Sequence, residues 1–525
     1  MKTIKSTTAI FTLFFLLVSG VANAQITSKE IDNLLQTAMD KFKVAGAAVA
    51  VVKDGKVVHK KGYGVKSITT KQPVDAYTNF QIASNSKAFT TTALSILVDE
   101  GKLSWKDKVK TYLPEFKMYN DYVTENFLIE DLLCHRSGLG LGAGDLMSFP
   151  DGADFTIKDV LTNFQYFEPV SAFRTQFDYD NQLYTVAGEL ISRVSGMSWE
   201  KFVQQNILVP LQMNNSYTSL DAIKDRTNVA TPHSTENSGT GEIRTISLFT
   251  DMINGAAGGI LSNVDDMSKW MLVQLNKGKF GNNLEKQLFT EARQREMWKI
   301  HTVMESNPDP RYNTHFAGYG LGWNLSDIKG NLRVNHTGGL PGMLSVVTMI
   351  PDLNLGVVVL TNTESGGGAL FGAVSKTIID SYLGLNHLDW VNMYSKRMES
   401  QKSESDSVTK KVWEVVAAAQ STKINSEDYT GLFEDKWFGK IEIFLKGDQL
   451  WFKSLRSPKL NGPMYYYKAT TFAIKWEYQD MNCDAFAIFG LDEEGKAQSI
   501  KMKGISPNID FSFDFQDLDL QRVRK

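Results

Sequence analysis

The chain has 525 residues, of which 42% are hydrophobic and 22% are charged. These values are ordinary for a globular protein, and the length allows more than one domain. Because the net charge is only −3, nothing in the composition indicates nucleic acid or an anionic membrane surface as a partner.

The first 24 residues have the pattern of an export signal. Lys2 and Lys5 form a short basic region, residues 9–18 are mostly apolar, and Ala22 and Ala24 fit the small-x-small cleavage rule. The apolar run is too short to span a bilayer, so we expect no transmembrane segment in the mature chain. We therefore expect residues 1–24 to be a signal peptide and the protein to be exported, either periplasmic or secreted.

Two cysteines, Cys134 and Cys483, lie far apart in the sequence. We expect two free, buried thiols rather than a disulfide. His135 follows Cys134 directly, which raises a cysteine nucleophile as an alternative. Adjacent residues rarely point at each other, so this alternative is the less favoured one.

Strand patterns occur at both ends of a helical region in the first 390 residues. The segments are strands 47–52 and 56–65 around an Asp54-Gly55 turn, helices 84–101, 157–166 and 184–195, and strands 346–350 and 356–360. A sheet assembled from distant segments, with helices between them, is the arrangement that this order predicts. The fold class is therefore α+β.

The composition changes after residue 390. Residues 395–411 are rich in Ser, Lys and Glu, which predicts a linker or a solvated helix over 391–425. Residues 426–525 show short strand patterns separated by the turns Gly447-Asp448 and Glu494-Gly495. They predict a small all-β domain, an antiparallel barrel or sandwich, whose many aromatic side chains form its core.

Ser84 and Lys87 form a Ser-x-x-Lys pair at the start of a predicted helix. Residues three apart share a helix face, with Cβ atoms about 5–6 Å apart. A serine hydroxyl needs a nearby base to become a nucleophile, and a lysine serves only if burial or positive charge lowers its pKa. Apolar neighbours favour that burial at Lys87. The same pattern begins at Ser198, Ser326 and Ser407, but in polar surroundings typical of solvated surface.

Further motifs follow this pair in a fixed order. They are Phe80–Lys87, Leu133–Leu139 (LCHRSGL), Phe177–Asn181 (FDYDN), Asn206–Met213, Gly258–Ser262, Tyr319–Trp323 and His336–Gly339 (HTGG). Together they resemble the serine β-lactamase and penicillin-binding protein superfamily, in particular its class C β-lactamase-like branch. The resemblance covers roughly residues 31–385.

The resemblance implies a catalytic domain over residues 25–390, with an antiparallel sheet flanked by a helical subdomain. It implies that Ser84 is acylated, and that Lys87 and Tyr179 move the protons. Asn181 would hold the amide or ester side of the substrate. The segment His336, Thr337, Gly338 and Gly339 would line the substrate site, and the N–H groups of Ser84 and Gly339 would form the oxyanion hole.

Two positions depart from the family pattern. His336 stands where β-lactamases and penicillin-binding proteins usually have lysine, and Gly339 stands where they have serine or threonine. Histidine is mostly neutral at pH 7, so both changes weaken the binding of a substrate carboxylate. They favour an esterase or D-amino-acid peptidase-like enzyme with weak or no β-lactamase activity. The alternatives are a β-lactamase, an acyltransferase, or a receptor for a cell-wall ligand or penicillin that does not turn it over.

The partner expected is a small-molecule or peptide substrate with an ester or amide bond. The other histidines are scattered without metal-ligand spacing, and no glycine-rich phosphate loop is present, so we expect no metal and no cofactor.

Residues 428–433 (DYTGLF) resemble the opening of the lipocalin-like β domain attached to many β-lactamase-related hydrolases. Such a domain is expected to limit access to the active site or to assist binding. On this interpretation, deletion of residues 426–525 changes the substrate range but leaves acylation of Ser84 intact.

Overall fold

The structure is a computed structural model that describes residues 25–235, 241–250, 253 and 255–524. The predicted signal peptide, residues 1–24, lies outside the described residues. Among the residues that are described, no helix combines the length and the apolar character needed to cross a membrane.

An eight-stranded antiparallel sheet forms the centre of the first domain, as the α+β prediction requires. Its strands are β1 (Gly46–Lys53), β2 (Lys56–Gly64), β3 (Thr302–Met304), β4 (Ala317–Tyr319), β5 (Asn324–Ile328), β6 (Asn331–Leu340), β7 (Met343–Ile350) and β8 (Leu355–Thr361). The order across the sheet is β2-β1-β8-β7-β6-β5-β4-β3. The first strand of the chain, β1, therefore pairs with a strand formed about 300 residues later, with Val49 opposite Val359, and β2 pairs with β1 at the edge of the sheet.

The sheet is buried on both faces, which explains the nearly continuous apolar run of β1. Ala48, Ala50 and Val52 belong to one hydrophobic core, while Ala47, Val49 and Val51 belong to another. Successive side chains of a strand point to opposite faces, so one strand serves both cores.

Helices cover both faces of this sheet. They are α1 (Ser28–Phe42), α2 (Ser86–Asp99), α3 (Val109–Tyr112), α4 (Asp121–Asn126), α5 (Ile157–Asn163), α6 (Gln182–Ser195), α7 (Trp199–Val203), α8 (Gly255–Gly258), α9 (Val264–Leu275), α10 (Glu291–Met297) and α11 (Gly366–Tyr382). Helices α1 and α11 pack together, with α11 on β7 and β8, whereas α9 packs on β1 and β8. We call the strands β1–β8 and these helices the sheet domain.

The segment after the sheet domain forms one long helix, α12 (Trp390–Ala419). The solvated helix, rather than an irregular linker, is therefore the form that most of residues 391–425 adopt. Only six of its side chains are buried, among them Trp390, Val412 and Val416. It packs against α1 and α11 and then against the following β domain.

The C-terminal strands close into an eight-stranded barrel, so the prediction of a barrel or sandwich is resolved in favour of the barrel. They are β9 (Gly431–Asp435), β10 (Gly439–Lys446), β11 (Gln449–Ser454), β12 (Asn461–Lys468), β13 (Thr471–Ile474), β14 (Ala485–Leu491), β15 (Ala497–Gly504) and β16 (Asp519–Arg522). Phe433 in β9 pairs with Arg522 in β16 and closes the ring. Aromatic side chains fill the interior, including Phe452, Phe472 and Trp476. We call this unit the barrel domain.

The barrel domain is held on the sheet domain by polar contacts. Arg456 pairs with Asp154 and Asp159, and Lys459 pairs with Asp151. The connection between β15 and β16 also reaches the sheet domain, and it does so beside the predicted catalytic residues.

Candidate active site

Ser84 lies in a 3₁₀ turn, Ala83–Asn85, that leads directly into α2. The predicted helix therefore begins two residues later than the serine. Ala83 has a φ of 49°, a left-handed conformation that costs a non-glycine residue about 1 kcal/mol. The turn is fixed to the sheet because the Ser345 hydroxyl donates to the Ile82 carbonyl oxygen (2.8 Å) and accepts from Asn85 Nδ2 (2.8 Å).

Lys87 is fully buried, and its amino group contacts the nucleophile. Lys87 Nζ lies 3.0 Å from Ser84 Oγ, 2.6 Å from Asn181 Oδ1 and 3.1 Å from the Ala257 carbonyl oxygen. Burial lowers the pKa of Lys87 to about 7, although two nearby carboxylates oppose that shift. A large fraction of Lys87 is therefore neutral at pH 7 and able to accept a proton.

Tyr179 lies beside the same lysine. Lys87 Nζ is 4.8 Å from the centre of the Tyr179 ring. The Tyr179 hydroxyl is buried and makes no hydrogen bond within the described part of the chain. Burial raises the pKa of Tyr179 well above its usual value, and the nearby Ser84 hydroxyl opposes that rise only in part. The phenol is thus protonated at neutral pH.

Asn181 stands immediately before α6 and is oriented by a carboxylate. Asn181 Nδ2 donates to Asp145 Oδ2 at 2.7 Å, which leaves the amide oxygen for Lys87. Asp145 is fully buried, and burial raises its pKa to about 7. Sequence analysis did not identify Asp145, because it belongs to none of the motifs.

His336 is buried and held in its neutral form. Its Nδ1 faces the Thr337 carbonyl oxygen at 2.6 Å and therefore carries the proton, so Nε2 accepts from the Tyr319 hydroxyl at 2.8 Å. Burial, with the charge of Lys87, lowers the pKa of His336 to about 3. His336 thus provides no positive charge at pH 7.

The two glycines of the HTGG segment have different surroundings. A Cβ atom on Gly338 would lie 2.2 Å from the Ile82 carbonyl oxygen, so a side chain there collides with the nucleophile turn. A Cβ atom on Gly339 would meet only Leu344, at an ordinary 3.6 Å. Gly338 is therefore needed for close packing, whereas Gly339 has room for a Cβ atom.

These residues line one open cleft of about 400 Å³. Ser84, Tyr179, Asn181 and the segment 336–339 form its wall, and Lys87 lies behind Ser84. All eight sequence-predicted site residues are thus brought together. Glu364 and Asp510 are the charged residues among those that line the cleft, and no lysine or arginine is among the described lining residues.

Four further residues at the site were missed by sequence analysis. The His135 ring packs against the Tyr179 ring in a tilted arrangement, with centroids 4.2 Å apart, and His135 Nδ1 accepts the Asp180 N–H at 3.1 Å. His135 belongs to the LCHRSGL motif, and its place in that motif is the sequence signal that could have identified it as a site residue. Phe511 and Ser512 reach the site from the barrel domain, more than 300 residues away in sequence, and no local pattern marks them or Asp145.

Cys134 and Cys483 are buried and form no disulfide. Burial raises the pKa of the Cys134 thiol to about 12, so a cysteine nucleophile is disfavoured chemically. Within the described ranges, no group of three or more His, Cys, Asp or Glu residues could hold a metal ion.

Comparison with known proteins identifies two families along the chain. The family described as Beta-lactamase matches residues 31–373, and a domain of unknown function (DUF3471) matches residues 417–522. Unguisins hydrolase ungD' of Aspergillus campestris is 27% identical over 385 residues, 72% of this chain and 70% of the relative. Protein flp of Staphylococcus aureus strain MW2 is 26% identical over 357 residues, 65% of this chain and 64% of the relative.

Solved structures share the fold at lower identity. The octameric penicillin-binding protein homologue from Pyrococcus abyssi is 20% identical, with a TM-score of 0.59 over 94% of this chain and 100% of that chain. A class C beta-lactamase is 19% identical, with a TM-score of 0.52 over 70% of this chain and 94% of that chain. Since the family match extends over more than half of its length, this chain belongs to the beta-lactamase family and is a serine hydrolase of that class.

Proposed function

We propose that this protein is an exported enzyme that hydrolyses ester or amide bonds through an acyl-enzyme on Ser84, with weak or no activity on β-lactams. The observation that carries the proposal is the contact between Lys87 Nζ and Ser84 Oγ, 3.0 Å, made by a lysine whose pKa is about 7. A general base with a pKa close to the working pH is the one best suited to remove the serine proton.

The proposed reaction begins when neutral Lys87 takes the proton of Ser84 as Oγ attacks the carbonyl carbon. The N–H groups of Ser84 and Gly339 stabilise the resulting oxyanion, and loss of one such donor typically costs about 3–4 kcal/mol. Tyr179, protonated and buried beside Lys87, donates its proton to the departing alcohol or amine as the acyl C–O or C–N bond breaks, and the Lys87 ammonium then reprotonates it. In the second step neutral Lys87 takes a proton from water as the water oxygen attacks the acyl carbon, and Lys87 returns that proton to Ser84 Oγ as the acyl–Oγ bond breaks and the acid product leaves.

The charge of the cleft supports neutral substrates over β-lactams. A β-lactam carries a carboxylate next to the scissile bond, whereas His336 is neutral and Gly339 has no hydroxyl. The cleft wall carries the carboxyl groups of Glu364 and Asp510 and, among its described residues, no lysine or arginine. This surface therefore contributes little binding energy to a substrate carboxylate. A neutral ester or amide does not need that contribution in order to bind.

The test is turnover by the mature protein on a panel of four substrates: a short-chain aryl ester, a D-Ala-terminated peptide, a D-aminoacyl amide and a chromogenic cephalosporin. Ser84→Ala removes the nucleophile and is expected to abolish turnover. Ser198→Ala is the matched control, because Ser198 begins another Ser-x-x-Lys sequence but caps α7 through the Lys201 N–H. Turnover of ester or amide that depends on Ser84, without the cephalosporin, supports the proposal.

Other outcomes of the same panel contradict parts of the proposal. Rapid loss of the cephalosporin makes the protein a β-lactamase. An acyl product formed on an added alcohol or amine, in preference to water, makes it an acyltransferase. A long-lived adduct on Ser84 without turnover makes it a receptor.

Export is tested separately by expressing the full chain and sequencing the N-terminus of the mature protein. Cleavage after Ala24, leaving Gln25 first, is the expected result. An intact Met1 terminus in the cytoplasmic fraction would contradict export.

A further inference from the structure

Asp145 is a carboxylate buried in the sheet domain that the proposed reaction steps do not use directly. Its Oδ2 atom accepts two hydrogen bonds, one from Asn181 Nδ2 (2.7 Å) and one from the Ser512 hydroxyl (3.0 Å). Its Oδ1 atom is buried and has no partner among the described residues. A charged or polar group in this position needs its hydrogen bonds, because water cannot replace them.

The first of these hydrogen bonds leads directly to the catalytic base. Asn181 donates to Asp145 with its amide nitrogen and accepts from Lys87 with its amide oxygen, at 2.6 Å. An amide without a fixed partner can rotate and present its nitrogen to the lysine, where two donors would face each other. Ionised Asp145 excludes that orientation, because a carboxylate can only accept. It thereby fixes Asn181 in the orientation that holds Lys87 next to Ser84.

The second hydrogen bond comes from the barrel domain. Ser512 is buried and lies between β15 and β16, as do its neighbours Phe511 and Asp514. The Phe511 ring meets Tyr179 edge to face, with centroids 5.7 Å apart. The Asp514 carboxylate accepts the N–H groups of Gly144 (2.7 Å) and Leu146 (2.8 Å), on either side of Asp145. Residues 511–514 of the barrel domain therefore contact the backbone on either side of Asp145, the Asp145 side chain and the Tyr179 ring. All of these groups lie near the base, Lys87.

We propose that Asp145 is a positioning residue for Asn181 and Lys87, and that the barrel domain completes the active site by holding Asp145 through Ser512. The proposal rests on the proposed function, in which Lys87 activates Ser84. It differs from the expectation that the barrel controls only substrate range. In this arrangement the barrel acts on acylation itself.

Several titratable groups face this pair. Around Lys87, Asp145 and Asp180 favour the ammonium form, while burial keeps two histidines and two tyrosines neutral, namely His135, His336, Tyr179 and Tyr184. Around Asp145, the carboxyl groups of Asp510, Asp514 and Asp180 oppose its ionisation, whereas Lys87, Asn181 and Ser512 favour it. Removing the negative charge of Asp145 therefore lowers the pKa of Lys87.

The experiment measures the rate at which a fluorophosphonate probe labels Ser84 in the full mature chain, between pH 5 and 9, by intact mass. Asp145→Asn keeps the size of the side chain but removes its charge and allows rotation of Asn181. We expect the rate above pH 8 to fall by about tenfold or more, since hydrogen bonds to charged groups are strong. We also expect the acidic limb of the pH profile to move down by roughly one unit.

Ser512→Ala tests the contribution of the barrel domain. We expect changes in the same two directions, but smaller, because Asn181 still binds the carboxylate. Ser506→Ala is the matched control: its hydroxyl also joins the barrel segment to another element, Ser405 of α12, at the same 3.0 Å, but away from the cleft. It is expected to label at the unmodified rate. Thermal unfolding of each variant establishes that it is folded.

The results separate this inference from the proposed function. If Asp145→Asn and Ser512→Ala fold and label at the unmodified rate with an unchanged acidic limb, the inference is wrong while the function stands. A lower rate with an unmoved limb in both variants would assign the residues a structural role only, which also overturns it. If the unmodified protein is not labelled at Ser84, the proposed function fails and the inference falls with it.

Discussion

Gly338 and Ile82 are in backbone contact: a Cβ atom on Gly338 would lie 2.2 Å from the Ile82 carbonyl oxygen. Ile82 comes two residues before Ser84, and Gly338 lies two residues after His336 on β6. The close approach of these two backbones therefore sets the distance between the HTGG segment and the nucleophile. No rotamer change can relieve a collision with a carbonyl oxygen.

The two neighbouring glycines give a matched test of this contact. Gly338→Ala forces β6 away from the nucleophile turn, and we expect the rate of Ser84 acylation to fall by about 100-fold, since small misplacements of reacting groups cost that much. Gly339→Ala meets only Leu344 at 3.6 Å, so its backbone N–H stays in place and the loss should be less than about fivefold by the same criterion. Acylation kinetics measured side by side check the difference. Equal losses in both variants would contradict it.

Strands β1, β2, β7 and β8 could be predicted because the signals that mark them are local, whereas strands β3–β6 were not predicted. The apolar run of β1 and the Asp54-Gly55 turn mark strands by composition alone, and α6 ends at Ser195, where the predicted helix 184–195 ends, with Gly196 after it in the left-handed conformation. The solvated helix α12 was predicted only as one of two alternatives. Its polar composition fits both a helix and a linker, and contacts with α11 and the barrel domain decide between them.

The site could be predicted only where residues lie in motifs. Ser84 and Lys87 meet because they are three positions apart on one turn, which a sequence shows directly. The contact between Asp145 and Ser512 spans 367 residues and joins two domains. Its formation depends on how the barrel sits on the sheet domain, and no periodicity in either segment carries that information. The neutral state of His336 likewise follows from its burial. The sequence predicted that state only from the usual pKa of histidine and did not show that the side chain is buried.

The activity should depend on pH through Lys87. Only the neutral lysine accepts the Ser84 proton, and burial lowers the pKa of Lys87 to about 7. We therefore expect kcat/KM to rise about tenfold per pH unit below pH 7 and to level off above it. The measurement is a pH profile of kcat/KM with the aryl ester.

Substitution of the lysine separates base catalysis from charge. Lys87→Arg keeps a positive charge that cannot be removed in this range, so acylation should fall by about 1,000-fold or more. Lys201→Arg is the control, because Lys201 ends another Ser-x-x-Lys sequence, in α7. It should leave the pH profile of kcat/KM unchanged. A profile that stays flat between pH 5 and 8 in the unmodified protein would exclude Lys87 as the base.

His336 should make the folded protein sensitive to acid. Its pKa is about 3 in the folded state and close to 6.5 when unfolded, so the unfolded chain takes up the proton first as the pH falls. Stability contributed by neutral His336 is fully present above pH 6.5. It is lost towards pH 3 by roughly 1.4 kcal/mol per pH unit.

The substitution His336→Gln removes this proton uptake, and the amide can still bond to the Tyr319 hydroxyl. We expect the free energy of unfolding of the variant to fall less steeply than that of the unmodified protein between pH 6.5 and 5. His387→Gln is the control, because its side chain is exposed. Urea denaturation at several pH values measures the slopes. Parallel slopes for His336→Gln and the unmodified protein would show that the buried imidazole does titrate normally.

Cys134 should be dispensable for chemistry. The thiol is buried, its pKa is raised to about 12, and Ser84 rather than Cys134 lines the cleft. Cys134→Ala should keep the aryl-ester kcat within about threefold and lower the free energy of unfolding by about 1–2 kcal/mol, through the small cavity it leaves. Loss of turnover in a variant that remains folded would reinstate the cysteine nucleophile.

Phe511 should limit the size of the substrate. It is 37% exposed, it lines the cleft, and its ring lies against Tyr179. Phe511→Ala removes this wall without touching the hydrogen bond from Ser512 to Asp145. We expect kcat/KM for esters of bulky acids to rise by about tenfold relative to acetate esters, since a ring-sized obstacle to a near-attack geometry costs at least that much.

The control is Leu491→Ala, since Leu491 is also apolar and 37% exposed but is not among the residues that line the cleft. It should leave the ratio of bulky to small esters unchanged. A ratio that stays constant in Phe511→Ala as well would mean that the ring does not limit entry, and that the barrel domain acts on the reaction only through the buried pair of Asp145 and Ser512.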